Sequence, residues 1–122
     1  MTRCTFVGLG VMGYPMAGHL QAAGHPTTVY NRTASKAEAW VAEHGGARAD
    51  TPEAAASASG GADVVLVCVG NDDDLRSVVF GETGVLAGMS EGAVLVDHTT
   101  ASAAVAREVA EAAAAQGVGF VD

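Results

Sequence analysis

The stretch Phe6-Val7-Gly8-Leu9-Gly10-Val11-Met12-Gly13-Tyr14-Pro15-Met16-Ala17 constrains the fold of this chain more than any other. An apolar run led in by Thr5 enters a Gly-x-Gly-x-x-Gly loop. Val11, Met12, Met16, Leu20 and Ala23 then recur near helical spacing. Gly8 suits a tight turn at the strand end. Gly10 leaves room for a dinucleotide backbone, and Gly13 lets the helix pack closely on the strand. Pro15 falls in the first helical turn, where a missing N–H costs least, and Gly24 stops the helix. Free N–H groups at the positive end of that helix would face a pyrophosphate.

The alternation continues to the end of the chain. Strands are expected at about Arg3–Gly8, Thr27–Tyr30, Ala47–Ala49, Asp63–Val69, Ala93–Val96 and Val118–Val121. Helices are expected at about Met12–Ala23, Ala34–His44, Asp72–Phe80 and Ala101–Gln116. Thr51-Pro52-Glu53 reads as a cap, a first-turn proline and a first-turn acid. Ala54–Gly61 is low in complexity and reads as a helix end and loop. The segment after Asp63 is apolar at every position, as in a parallel sheet covered on both faces. These features predict an α/β, Rossmann-type doubly wound parallel sheet of six strands in the order 3-2-1-4-5-6, with helices on both faces. Four loops then share one rim: Gly8–Gly13, Asn31-Arg32-Thr33, Val69-Gly70-Asn71 and Asp97-His98-Thr99-Thr100.

At 122 residues the chain is long enough for one domain, spanning residues 1–122. Its formal net charge of −8 argues against a nucleic-acid surface. No apolar run reaches the roughly 20 residues of a membrane span, and the N-terminus lacks the pattern of a secretory signal. The expectation is therefore no nucleic acid and no membrane. Cys4 and Cys68 fall in strands and read as buried thiols in a reducing cytoplasm. No Cys/His pair has zinc-ligand spacing, so no metal is expected. Asp72-Asp73-Asp74 opens a helix, where acids favour the dipole.

The second strand ends at Tyr30. The next position is where an NAD site usually carries an acid for the ribose 2′-hydroxyl, and here it is Asn31, then Arg32 and Thr33. That loop carries no carboxylate to repel a 2′-phosphate, and a guanidinium can pair with one. NADP is therefore expected over NAD, with NAD left open. Thr33 either adds a hydroxyl donor or caps the next helix. Lys36 reads as solvated surface.

Gly8–Ala17, with Pro-Met-Ala after the third glycine, resembles the signature of the β-hydroxyacid dehydrogenases. That family includes 3-hydroxyisobutyrate dehydrogenase, tartronate semialdehyde reductase and, more distantly, 6-phosphogluconate dehydrogenase. Val96–Ser102 is similar to its Asp-x-Ser-Thr segment, and Phe120-Val121-Asp122 to its last strand. The resemblance implies hydride transfer between nicotinamide and a small 3-hydroxy acid. It implies cofactor contacts from Gly8, Leu9, Gly10, Val11, Met12, Gly13, Asn31, Arg32, Thr33, Val69, Gly70 and Thr99, and substrate contacts from Thr99 and Thr100. Thr99 and Thr100 can equally cap the following helix.

Family members continue into a Ser-Gly-Gly loop, a helix with a catalytic lysine, and an all-helical domain. The parent is expected to be a homodimer or homotetramer. Lys36 is the single lysine here and belongs to the adenosine side, so no catalytic residue is assigned and this chain alone is expected to be inactive. An apolar surface is expected where that domain would dock. Two departures stand out: Gly70 replaces a common proline, and Thr99 carries a methyl where serine is usual. A stand-alone, non-catalytic dinucleotide-binding module and an imine reductase-like fragment are the alternatives. Asp97 is expected to organise its turn, not to pair catalytically with His98, because neighbours on an extended strand end point opposite ways.

Overall fold

A computed structural model describes residues 2–122. Six strands form one sheet: β1 (Cys4–Val7), β2 (Thr27–Tyr30), β3 (Ala47–Arg48), β4 (Val64–Val67), β5 (Val94–Asp97) and β6 (Gly119–Val121). The order is β3-β2-β1-β4-β5-β6, every ladder is parallel, and this is the order expected from the sequence. β1 is central, pairing Cys4 with both Thr27 and Val64, and Val7 with both Tyr30 and Val67. The carboxyl ends of β1, β2 and β4 thus lie side by side, where ligands bind in doubly wound sheets.

Helices cover both faces: α1 (Gly13–Ala22), α2 (Ala34–His44), α3 (Pro52–Ser57), α4 (Asp72–Val79), α5 (Val85–Gly88) and α6 (Ala103–Ala115). On one face Phe6, Val29 and Leu66 pack with Leu9, Ala17, Ala37 and Trp40. On the other, Val7, Val65, Val67 and Leu95 pack with Leu75, Val79, Val85, Val105 and Val109. Leu66 and Val67 therefore serve opposite cores, which explains the unbroken apolar run of β4.

Several strand boundaries contract by one or two residues, because the strands keep only residues with ladder partners, and β5 lies one residue later than expected, losing Ala93 and gaining Asp97. α5 was not expected; one turn holding Leu86 and ending in Gly88 is too short to show helical periodicity. Thr51 caps α3 as expected, accepting from the Ala54 N–H at 3.0 Å. α6 begins two residues later than expected. Its cap is the Ser102 hydroxyl, which accepts from the Val105 N–H at 3.2 Å, so neither Thr99 nor Thr100 caps it. Thr33 stands at the N-cap position of α2 without a side-chain capping bond.

Candidate dinucleotide-binding site

The loop from Gly8 to Gly13 leaves β1 through a turn that excludes side chains. Gly8 has φ +102°, and a Cβ there would collide with the carbonyl oxygen of Cys68. A Cβ on Gly13 would collide with the Gly8 carbonyl and stand 3.0 Å from the Phe6 ring. These overlaps bear out the turn and packing roles read from the sequence. Gly10 differs, with nothing within 4 Å of where its Cβ would be. Its bareness serves no internal contact and leaves the loop open outwards.

Among the described residues, no group accepts from the N–H of Gly10, Val11, Met12 or Gly13. Leu9 is the exception, donating to Asn31 Oδ1 at 2.9 Å. α1 has no side-chain cap. Its N-terminus therefore presents unpartnered donors and the positive end of the helix dipole to the cleft. Val11 and Met12 are exposed at this rim, at 94% and 65%.

The loop floors a cleft of about 540 Å³ whose walls come from the ends of β1, β2 and β4 and from α4. Gly8–Gly13, Asn31, Arg32, Val69 and Gly70 all line it. An open glycine, free N–H groups and a cleft of this size fit a dinucleotide's pyrophosphate.

The profile described as the NAD binding domain of 6-phosphogluconate dehydrogenase matches residues 3–122. The chain belongs to that family. Among its relatives is an uncharacterized oxidoreductase of Shewanella frigidimarina, 58% identical over all 122 residues, of which the chain covers 41%. The 3-hydroxyisobutyrate dehydrogenase of Pseudomonas aeruginosa is 38% identical across the whole chain, which covers 40% of it. The chain thus spans about two-fifths of the length of these relatives. Among solved structures, 3-hydroxyisobutyrate dehydrogenase of Mycobacterium tuberculosis, determined with L-serine, superposes with a TM-score of 0.85 at 32% identity. That match covers 98% of this chain and 39% of the other. Imine reductase of Myxococcus stipitatus with NADP+ gives 0.82 at 30% identity, covering 97% and 39%. A V8 variant of the Myxococcus enzyme, with NAD+, gives 0.84 at 27% identity, covering 98% and 39%.

In this NAD-binding domain, several expected site residues hold structural posts. The Asn31 carboxamide bridges the loop to the end of β2, accepting from Leu9 and donating through Nδ2 to the Thr33 carbonyl at 3.1 Å. Thr33, Thr99 and Thr100 do not line the cleft. Thr99 is half-buried, and its hydroxyl accepts from the Val69 N–H at 3.0 Å. The Thr99 N–H in turn donates to Asp97 Oδ1 at 2.8 Å, so Asp97 organises its turn as expected. Asp97 is buried and His98 exposed, which separates the two side chains. A second tie joins the same two loops, from the Ser102 N–H to Asp72 Oδ1 at 2.9 Å.

Arg32 is 84% exposed and stands 3.4 Å from Asp74 Oδ1, which also lines the cleft. The loop after β2 lacks a carboxylate, but α4 brings one to the same place. Tyr30, Pro52, Cys68, Ser77, Val78 and Thr83 are further lining residues that the sequence reading did not pick out. Only the fold brings them together at the cleft. Burial raises the thiol pKa of Cys68, with a smaller contribution from Asp97. Lys36 is exposed on α2 and does not line the cleft. Among the described residues, no helix is long and apolar enough to cross a membrane, and no cluster of His, Cys, Asp or Glu could hold a metal.

Proposed function

We propose that the chain is the NADP(H)-binding part of an oxidoreductase acting on a small 3-hydroxy acid such as 3-hydroxyisobutyrate. The observation that carries the reading is the Gly10–Gly13 segment, whose unpartnered N–H groups open into the cleft beside Arg32. Gly10–Gly13 seats the pyrophosphate, Arg32 meets the ribose 2′-phosphate, and Val69 and Gly70 line the cofactor cleft through backbone groups. The cofactor supplies a hydride acceptor or donor at its nicotinamide ring. This chain contributes binding and orientation. Thr99 fixes the Val69–Gly70 turn by accepting its N–H, and Thr99 and Thr100, outside the cleft, are the residues of this chain proposed to meet substrate. No lysine lies at the cleft among the described residues, and no residue of this chain is assigned the proton transfer.

The Pseudomonas and Mycobacterium relatives support the hydroxy-acid class. The imine reductase with NADP+ supports a second reading, reduction of a C=N bond by the same cofactor. Fluorescence titration of the chain with NADPH and NADH tests the binding role. Saturable, tighter NADPH binding is expected. Preferred NADH binding overturns the cofactor choice, and no binding of either overturns the role. Turnover of 3-hydroxyisobutyrate against a cyclic imine by the whole protein separates the two substrate classes.

A further inference from the structure

We infer that Asp74 is a cofactor-specificity residue, supplying from α4 the carboxylate that the β2 loop lacks and so restraining the preference for NADP(H). This rests on the reading of the cleft as a dinucleotide site and concerns its adenosine end. Asp74 Oδ1 stands 3.4 Å from the Arg32 guanidinium, the group proposed to meet a 2′-phosphate. Its other oxygen lies against Gly70, where a Cβ would stand only 3.1 Å from Oδ2. The bare Gly70 gives the carboxylate its place across the cleft.

The residue is held there by its backbone. The Asp74 N–H donates to the Asn71 side chain at 2.8 Å, and the Ser77 hydroxyl donates to the Asp74 carbonyl at 2.8 Å. The carboxylate is 31% exposed and the Arg32 side chain 84% exposed, so Arg32 is the partner more open to an incoming phosphate. A 2′-phosphate must draw Arg32 away from Asp74 and then sit near a like charge. A 2′-hydroxyl meets no such opposition, and it can donate to the carboxylate. Asp74 therefore weighs against the phosphorylated cofactor while Arg32 weighs for it, and the two together admit both dinucleotides.

The test is Asp74→Asn in the full chain, titrated with NADPH and NADH, and with 2′,5′-ADP and 5′-AMP as probes of the adenosine end alone. Asparagine keeps the size and removes the charge. The preference for NADPH over NADH, and for 2′,5′-ADP over 5′-AMP, is expected to rise about threefold to tenfold at low salt. The gain should shrink as salt is raised towards 0.5 M, as an electrostatic effect must and a packing effect need not. An unchanged or reduced preference, with both dinucleotides still bound by the wild type, overturns the assignment of Asp74 and leaves the proposed function intact. A wild-type chain that binds neither dinucleotide overturns both.

Discussion

The Thr99 hydroxyl takes the Val69 N–H at 3.0 Å, tying the turn after β4 to the turn after β5 across thirty residues of sequence. Asp97 holds Thr99 in turn, so a buried carboxylate at the end of β5 reaches the cleft through two hydrogen bonds. A side chain outside the cleft thus sets the path of the backbone that lines it.

Replacing that hydroxyl with a methyl, Thr99→Val, leaves the Val69 N–H without a partner. The expected loss is about 1 kcal/mol, or about 4 °C in thermal midpoint for a domain of this size. Thr99→Ser keeps the acceptor and should restore most of the loss. Thermal unfolding followed by circular dichroism reads the difference; equal midpoints for the valine and wild-type chains would refute the tie.

Gly13 and Gly10 should separate folding from binding. Gly13→Ala drives a methyl into the Gly8 carbonyl and the Phe6 ring, so α1 must shift, at about 1–3 kcal/mol. Gly10→Ala meets open space, and its stability should stay within about 0.5 kcal/mol of wild type. NADPH binding should nevertheless weaken at least about tenfold, because the methyl stands where the dinucleotide comes close. Urea unfolding and NADPH titration on both variants check the contrast. Undiminished affinity in Gly10→Ala would remove the loop from the binding role.

Arg32→Ala should weaken NADPH binding about tenfold or more while changing NADH binding far less, since only one ligand carries the 2′-phosphate. Parallel isothermal titrations measure both. An equal loss for the two cofactors would show that Arg32 acts on something they share.

Acid should loosen the chain through Asp63 and Asp72. The Arg3 N–H, at 2.8 Å, and then its side chain hold Asp63 below the ordinary carboxylate range. Hydrogen bonding from Ser102, hydroxyl first and N–H second, does the same for Asp72. A depressed folded pKa means that the unfolded chain takes up protons first. The stability these groups give is present above the ordinary carboxylate pKa of about 4 and is lost as pH falls through their lower folded values. Urea midpoints measured between pH 7 and pH 2.5 should therefore drop below about pH 4. The drop should be shallower in Asp63→Asn and Asp72→Asn, and slopes matching wild type would contradict the assignment.

The sheet order and the glycine loop were legible because they rest on local signals: apolar runs, turn residues and a three-glycine spacing. Ser102 was missed as the cap of α6 because Thr99 and Thr100 offer the same chemistry two and three residues earlier. Only the tertiary bond to Val69 withdraws Thr99 from that competition. Asn31 read as a ribose contact because its position in the loop is diagnostic, yet its carboxamide serves Leu9 and Thr33. Asp74 read as a helix-opening acid, which it is. Its second role depends on meeting Arg32, forty-two residues away, and no local pattern encodes that encounter.

The Asn31 bridge also bears on how such a cleft changes over evolution. With Oδ1 given to Leu9 and Nδ2 to Thr33, residue 31 acts as a hinge pin for the phosphate loop. Exchanging it for an acid to court a different ribose keeps an acceptor for the Leu9 N–H but loses the donor to the Thr33 carbonyl and sets oxygen against oxygen there, so the brace under the loop is disturbed as well. Arg32 and Asp74 carry no such duty to the loop, so charge can be traded at those two positions while the grip on the shared part of the cofactor stays untouched. Cofactor choice in this chain is a detachable module bolted beside a fixed one.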